Sequence, residues 1–248
     1  MSLFIGDKRV TLLGIGGDII RPASNFTLWM FDDATNRLYT VDKTTGVATA
    51  ATASLGDFRA PNGMAFDGFA LYMGVLRAFW CAIPGTLNPV RLNSSTLSQG
   101  SGTAGLVWDG TTMYLAESRI GSGVRTHTLR TIDRTSGNTV RVGTFSSTEI
   151  KSLGWNGTTL YTTTGDNFLY RIDKSNANVT RVGSTGSVGI TGLAWDGSTM
   201  YGLGDTANAL YTIDLSTGAA TRVGSATNFG VGVTSPQALA WAPAVLTS

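Results

Sequence analysis

Gly192–Gly224 reads GLAWDGSTMYGLGDTANALYTIDLSTGAATRVG, and Ser152–Gly183 reads SLGWNGTTLYTTTGDNFLYRIDKSNANVTRVG. Both stretches divide into the same four apolar runs, and the second recurs as the first at a period of about 40 residues. Run a is G-L-A-W; an Asp-Gly or Asn-Gly pair follows, the strongest short hairpin signal. Run b ends its first half in Met-Tyr or Leu-Tyr, run c is L-Y-x-I-D, and run d is T-R-V-G. Each run spans four to six residues with alternating polarity, which specifies antiparallel strands rather than helices. Four strands joined by tight turns make one meandering sheet. Such a sheet cannot bury both faces alone, so copies must stack.

Outward from these two copies, run a recurs with Phe66, Trp108, Trp155, Trp195 and Trp241 as its aromatic residue. Run c recurs at Leu38–Asp42, Leu129–Asp133, Leu169–Asp173 and Leu210–Asp214, with Phe79–Ile83 as a variant, and run d carries Arg141, Arg181 and Arg222. A radial array of these sheets is an all-β, single-domain propeller spanning residues 1–248. The blade count is read from the ends. The head, LFIGDKRVTLLG, matches runs c and d, and the tail, ALAWAPAVLTS, matches run a. The two ends therefore predict a split blade and six blades in all, with the degenerate run a of the next blade near Ile19–Ser24. The alternative is five blades: the Trp241 strand pairs directly with Thr27–Phe31 and the first 25 residues become an appendage. Ring closure removes the exposed edges that invite aggregation.

The repeat, read as G-h-A-h-D, then h-Y, then h-D with h apolar, resembles the NHL-like six-bladed propellers and similar repeats of phage and bacterial surface proteins. The resemblance implies that run a lines the central channel and run d lies outermost. It implies a fold and no single activity. The run-a tryptophans are larger than the residues usual there.

Composition narrows the function classes. Charged residues are 14 % and Gly is 32 of 248, the balance of a turn-rich β protein. The net charge of +2 is spread without Lys or Arg runs, so nucleic acid is not an expected partner. No 18-residue apolar stretch occurs, so membrane insertion is not expected. Cys81 is the sole cysteine, which excludes an intramolecular disulfide. MSLFIGDKRVTLLGIGGD does not read as a signal peptide. A Ser-, Thr- and Asn-rich surface without an export signal fits a virion or extracellular surface component, with a cytoplasmic propeller as the alternative.

No catalytic, metal or cofactor constellation is expected. Most of the 16 carboxylates fall at turns, where Asp binds local N–H groups: Asp67, Asp109 and Asp196 after run a, Asp33, Asp166 and Asp205 after run b, and Asp42, Asp133, Asp173 and Asp214 after run c. Asp7, Asp18, Asp32, Asp57, Glu117 and Glu149 stand outside this grammar, and no pair among them is singled out for glycoside hydrolysis. The one histidine, His127, lies in an insertion, Glu117–Thr128, expected to be a solvated loop; Arg119, Arg125 and His127 are its candidate contacts. Blade two carries a variant segment, Leu76–Leu92, with Phe79 and Trp80 as a candidate contact patch for a protein partner. The run-a aromatics are expected to pack between blades, with a ring of sugar-stacking platforms as the competing reading. The expected function is a non-enzymatic structural or adhesion module, part of an extracellular assembly such as a phage tail or fibre, with protein partners. A carbohydrate-binding propeller that takes a surface glycan is the first alternative, and a propeller hydrolase the second.

Overall fold

A computed structural model of the chain describes residues 2–5, 8–11, 26–52, 54–55, 61–82, 89–93, 97, 101–121, 123–145, 149–224, 229–230 and 232–243. Its core is five four-stranded antiparallel sheets. The head forms a separate hairpin of β1 (Ser2–Ile5) and β2 (Lys8–Thr11). Blade 1 holds β3 (Phe26–Asp32), β4 (Arg37–Val41) and β5 (Ala48–Ala50). Blade 2 is β6 (Pro61–Phe66), β7 (Leu71–Val75), β8 (Ala78–Ala82) and β9 (Pro89–Asn93). Blade 3 is β10 (Ser101–Trp108), β11 (Met113–Gly121), β12 (Val124–Ile132) and β13 (Thr139–Thr144). Blade 4 is β14 (Gly154–Trp155), β15 (Leu160–Thr163), β16 (Phe168–Ile172) and β17 (Val179–Ser184). Blade 5 is β18 (Ile190–Trp195), β19 (Met200–Gly204), β20 (Ala209–Ile213) and β21 (Ala220–Arg222). The last strand, β22 (Pro236–Pro243), completes blade 1 as its innermost member.

The propeller therefore has five blades, and the expectation of six is corrected. Trp241 lies opposite Leu28 and Ala238 opposite Phe31, as the five-blade alternative requires. The indole Nε1 of Trp29 also donates to the Pro243 carbonyl at 2.9 Å, tying the closing strand to its neighbour. β1 and β2 pair with each other in a two-stranded sheet of their own. An alternating two-strand pattern is satisfied by a hairpin alone, so it does not specify a place in a blade. Ile19–Ser24 lies outside the described residues.

The innermost strands meet around one axis: β6 packs against β22 and β10, β14 against β10 and β18, and β18 against β22. They approach closely enough to require glycine. A Cβ on Gly63 would sit 2.4 Å from the Leu106 amide nitrogen, and one on Gly105 would sit 2.6 Å from that of Leu153. Five apolar clusters fill the five seams, for example Leu106, Met113, Leu115 and Ile132 with Tyr72 and Phe79 between blades 2 and 3. The turns follow the repeat. Asp42, Asp133, Asp173 and Asp214 each accept backbone N–H bonds from the residues two or three ahead. The run-d arginines behave as stems laid on the outer strands. The Arg181 guanidinium lies 3.4 Å from the Phe168 ring centroid, and Arg91 lies 5.8 Å from that of Trp80.

Candidate functional site

The channel has two unlike mouths. At the end where run a finishes, Phe66, Trp108, Trp155, Trp195 and Trp241 surround a recess of about 90 Å³. All five are half-buried and packed against the seam clusters. Three of them carry a cation on the ring: Lys43 at 5.0 Å from the Trp241 centroid, Arg134 at 4.2 Å from Trp108 and Lys174 at 4.7 Å from Trp155. Each cation also pairs with the turn carboxylate of the preceding blade: Lys43 with Asp196 at 2.6 Å, Lys174 with Asp109 at 2.6 Å, and Arg134 with Asp67. The cation thus spans the seam, with tryptophan of its own blade on one side and aspartate of its neighbour on the other. Burial is the largest single influence on Asp196 and raises its carboxyl. The Lys43 ammonium, the Thr199 and Ser198 N–H groups and the Ser198 hydroxyl together outweigh it and bring the pKa down to about 2. Asp109 is lowered by the same balance, with Lys174 and the Thr111–Thr112 turn opposing burial. This mouth is committed to holding blades together.

The opposite mouth is polar, and the backbone makes it so. Four of the inner strands shift register near their start, between Pro61 and Gly63, Thr103 and Gly105, Ile190 and Gly192, and Pro236 and Ala238. In blade 4 the segment from Ile150, opposite Thr164, to Gly154, opposite Tyr161, likewise holds one residue more than its partner. An extra residue re-aims the side chain that it carries. The residues at these shifts, Asn62, Ala104, Lys151, Thr191 and Gln237, all line a recess of about 260 Å³. Ser118, Arg125, Glu149 and Asp205 also line it, with Thr103 and Ile150. Glu149 bridges two cations: its Oε1 lies 3.3 Å from Arg125 Nη1 and its Oε2 lies 3.4 Å from Lys151 Nζ. Among the described residues the Gln237 side chain bonds through its Nε2 alone, to the Ser235 hydroxyl at 3.1 Å, and the Thr191 hydroxyl donates to the Pro236 carbonyl at 3.3 Å.

The insertion Glu117–Thr128 is not a loop. It lengthens β11 and β12 into a projecting hairpin, with Gly121 opposite Val124 and the turn glycine Gly123 at φ +80°. The expectation of a solvated loop is corrected: Glu117 is 3 % exposed and His127 4 %. Alternation within the continuing strands places them on opposite faces of the sheet, Glu117 with Leu115 on the blade 2 side and His127 with Leu129 on the blade 4 side. Arg119 and Arg125 are exposed, with Ile120 at 54 % and Val124 at 61 % beside them. Glu117 accepts from Arg130 Nε at 2.5 Å. Among the described residues, neither imidazole nitrogen of His127 has a hydrogen-bond partner. Burial, then the adjacent Arg125, hold its pKa below the usual histidine range, with Glu149 opposing and Lys151 adding to the depression. Phe79 is buried and stacks on Tyr72 with centroids 5.3 Å apart, whereas Trp80 is half-buried under Arg91. The structure thus brings Arg125 to the recess, places Arg119 on the same hairpin, and sets Phe79 and Trp80 in blade 2.

Lys151, Asn62, Thr191 and Gln237 were not singled out by the sequence. Their signal is the extra residue before run a, visible only once strand partners are known. Among the carboxylates outside the turn grammar, Asp32 is buried and accepts from the Thr35, Thr234 and Ser235 N–H groups, which fastens β3 to the segment entering β22. Asp7, Asp18 and Asp57 lie outside the described residues. Among the described residues no group of three or more His, Cys, Asp or Glu side chains is placed to hold a metal.

No family model matches the chain, and no curated protein sequence matches it. Solved structures do. A protein of unknown function from Bacteroides caccae aligns at 10 % identity and TM-score 0.50, over 82 % of this chain and 74 % of that one. A chain of the nidogen/laminin complex aligns at 11 % and 0.57, over 88 % and 98 %. A gluconolactonase from Xanthomonas campestris aligns at 12 % and 0.52, over 81 % and 76 %. At these identities the likeness is one of fold, and it agrees with the sheet topology: the chain is a β-propeller, here of five blades.

Proposed function

We propose that this propeller is a non-enzymatic structural or adhesion module that engages a protein partner through its polar-mouth face, within an extracellular assembly such as a phage tail or fibre. The observation that carries the reading is the asymmetry of blade 3. Its β11–β12 hairpin runs past the equivalent strands of the other blades and presents at its tip Ile120 opposite Arg125 on one face and Val124 with Arg119 on the other, both apolar side chains more than half exposed. Apolar residues flanked by arginine on a rigid scaffold are the composition of an interface centre. The aromatic mouth, in contrast, uses its aromatics and cations on its own seams.

The test compares the chain free and in its native assembly. Hydrogen exchange across residues 119–126 is expected to slow in the assembly. The double substitution Ile120→Ser, Val124→Ser is expected to lower incorporation by about tenfold, one or two lost interface anchors, with the melting temperature unchanged. Equal exchange in both states together with undiminished incorporation would overturn the reading.

A second reading, glycan binding, is favoured by one observation, the uncommitted hydrogen-bonding groups of the 260 Å³ recess beside that hairpin.

A further inference from the structure

We propose that the polar recess binds a carboxylated sugar residue, of the uronic or sialic acid type, with the carboxylate at Arg125 and Lys151 and the hydroxyls on the ring of re-aimed side chains. The inference rests on the polar mouth being the working face. It begins with a charge mismatch. Two cations face one carboxylate, and both separations, 3.3 and 3.4 Å, exceed the roughly 2.7–2.9 Å of a good charge-assisted bond. The Lys151 ammonium makes no hydrogen bond among the described residues, although it offers three donors. The Arg125–Glu149–Lys151 group taken alone carries a net positive charge, balanced over the whole recess by Asp205, and its leftover donors can take a ligand carboxylate.

The remaining wall suits hydroxyls. The Asn62 carboxamide has no hydrogen bond among the described residues, Gln237 keeps its carbonyl oxygen unspent, and Asp205 brings an exposed acceptor. These groups are polar and mostly neutral, which gives a ligand many hydrogen bonds without further charge. A phosphate would meet Glu149 and Asp205 with two charges and no hydroxyl donors to offer them. At about 260 Å³ the recess lies just under the roughly 300 Å³ where ligand pockets begin, so it suits one ring rather than a chain. The competing stacking site fits less well, because three of the five rings at the aromatic mouth already carry a cation.

Calorimetric titration with matched pairs of probes tests this: a glucuronic-acid-terminated disaccharide against its glucose-terminated counterpart, and sialyllactose against lactose. At least one carboxylated member is expected to bind about tenfold or more tighter than its neutral counterpart. Lys151→Met keeps the side-chain stem and is expected to remove about 10- to 100-fold of that affinity, as loss of a hydrogen bond to a charged group does, with neutral sugars unaffected. Glu149→Gln removes the competing carboxylate and is expected to tighten binding. No preference for either carboxylated probe, a preference that survives Lys151→Glu, or acetate binding as tightly as the sugars would each overturn the proposal. The hairpin substitutions Ile120→Ser and Val124→Ser leave the recess intact. Lost incorporation with the sugar preference retained is therefore what both readings require; undiminished incorporation with the preference retained overturns the docking reading alone, and lost incorporation with no preference in the parent chain overturns the sugar reading alone.

Discussion

The seam between blades 3 and 4 and the seam between blades 4 and 5 are built from the same repeat and differ at two positions. In the first, Asp109 caps the a–b turn and reaches Lys174, which lies over Trp155. In the second, the aspartate position is Asn156 and the lysine position is Leu215. Asn156 still accepts from the Thr158 and Thr159 N–H groups, so the turn survives. Leu215 packs into the apolar cluster that includes Trp195. Carboxylate and cation have gone together. The seam between blades 1 and 2 repeats the lesson in sequence, with Ala242 and Pro84 at the two positions. The physical reason is that the aspartate side chains at the three paired seams are only 1–2 % exposed. A carboxylate so enclosed costs several kcal/mol without a partner, whereas a neutral pair costs little. The turn and the pairing are separable functions of one residue, and the second depends on the neighbouring blade.

The comparison can be broken by changing one member alone. Lys174→Leu leaves Asp109 enclosed and unpaired. It is expected to destabilise the fold by about 2 kcal/mol, below the roughly 3–5 kcal/mol of a wholly buried pair because Lys174 is 45 % exposed. The double change Asp109→Asn, Lys174→Leu copies the 4–5 seam and is expected to cost less than about 1 kcal/mol. Urea midpoints of the two variants, completed as a cycle with Asp109→Asn, measure the difference. If the double variant were as unstable as the single one, the two positions would not act as a unit.

Acid sharpens the same contrast. The Asp196 pKa is depressed from 3.8 to about 2. Its contribution is therefore complete above the unfolded value and is lost as pH falls from about 4 towards 2. The doubly neutral variant Lys43→Leu, Asp196→Asn is expected to lose less stability than the parent over that interval, followed by thermal melting at each pH.

The smallest effect concerns His127, on the far side of blade 3. Its pKa is lowered, so the unfolded chain binds the proton first and stability falls as pH drops below about 6.5. Between pH 7 and 5 a small loss is therefore expected, and His127→Leu is expected to flatten it. A parent curve as flat as the variant would show that the imidazole charges without penalty.

Much of this architecture was legible in the sequence. The Asp-Gly and Asn-Gly pairs and the period-two runs marked the four-stranded blades, whereas the expected count was six and the five-blade closure by the Trp241 strand stood as the alternative. The error at the head has a local cause. LFIGDKRVTLLG encodes two strands and a turn, and any two antiparallel strands satisfy it, so which sheet they join is not written there. The cation positions could have been seen: Asp42-Lys43, Asp133-Arg134 and Asp173-Lys174 recur only where the preceding blade has aspartate after its run-a aromatic. The polar mouth was less accessible. Arg125 was reached through the length of its insertion. Asn62, Thr191 and Gln237 differ in chemistry and share only a backbone irregularity, and composition carries no trace of that.

The closing strand has a consequence for biosynthesis. β3 is made near residue 30 and must wait for residues 236–243 before its inner edge is covered. Throughout translation the nascent blade 1 offers an unsatisfied ribbon of Leu28, Trp29, Met30 and Phe31, all fully buried once the ring is shut. A ribosome that stalls anywhere before residue 236 thus releases a product with that adhesive edge still open, so the ring reports on its own complete synthesis through its solubility.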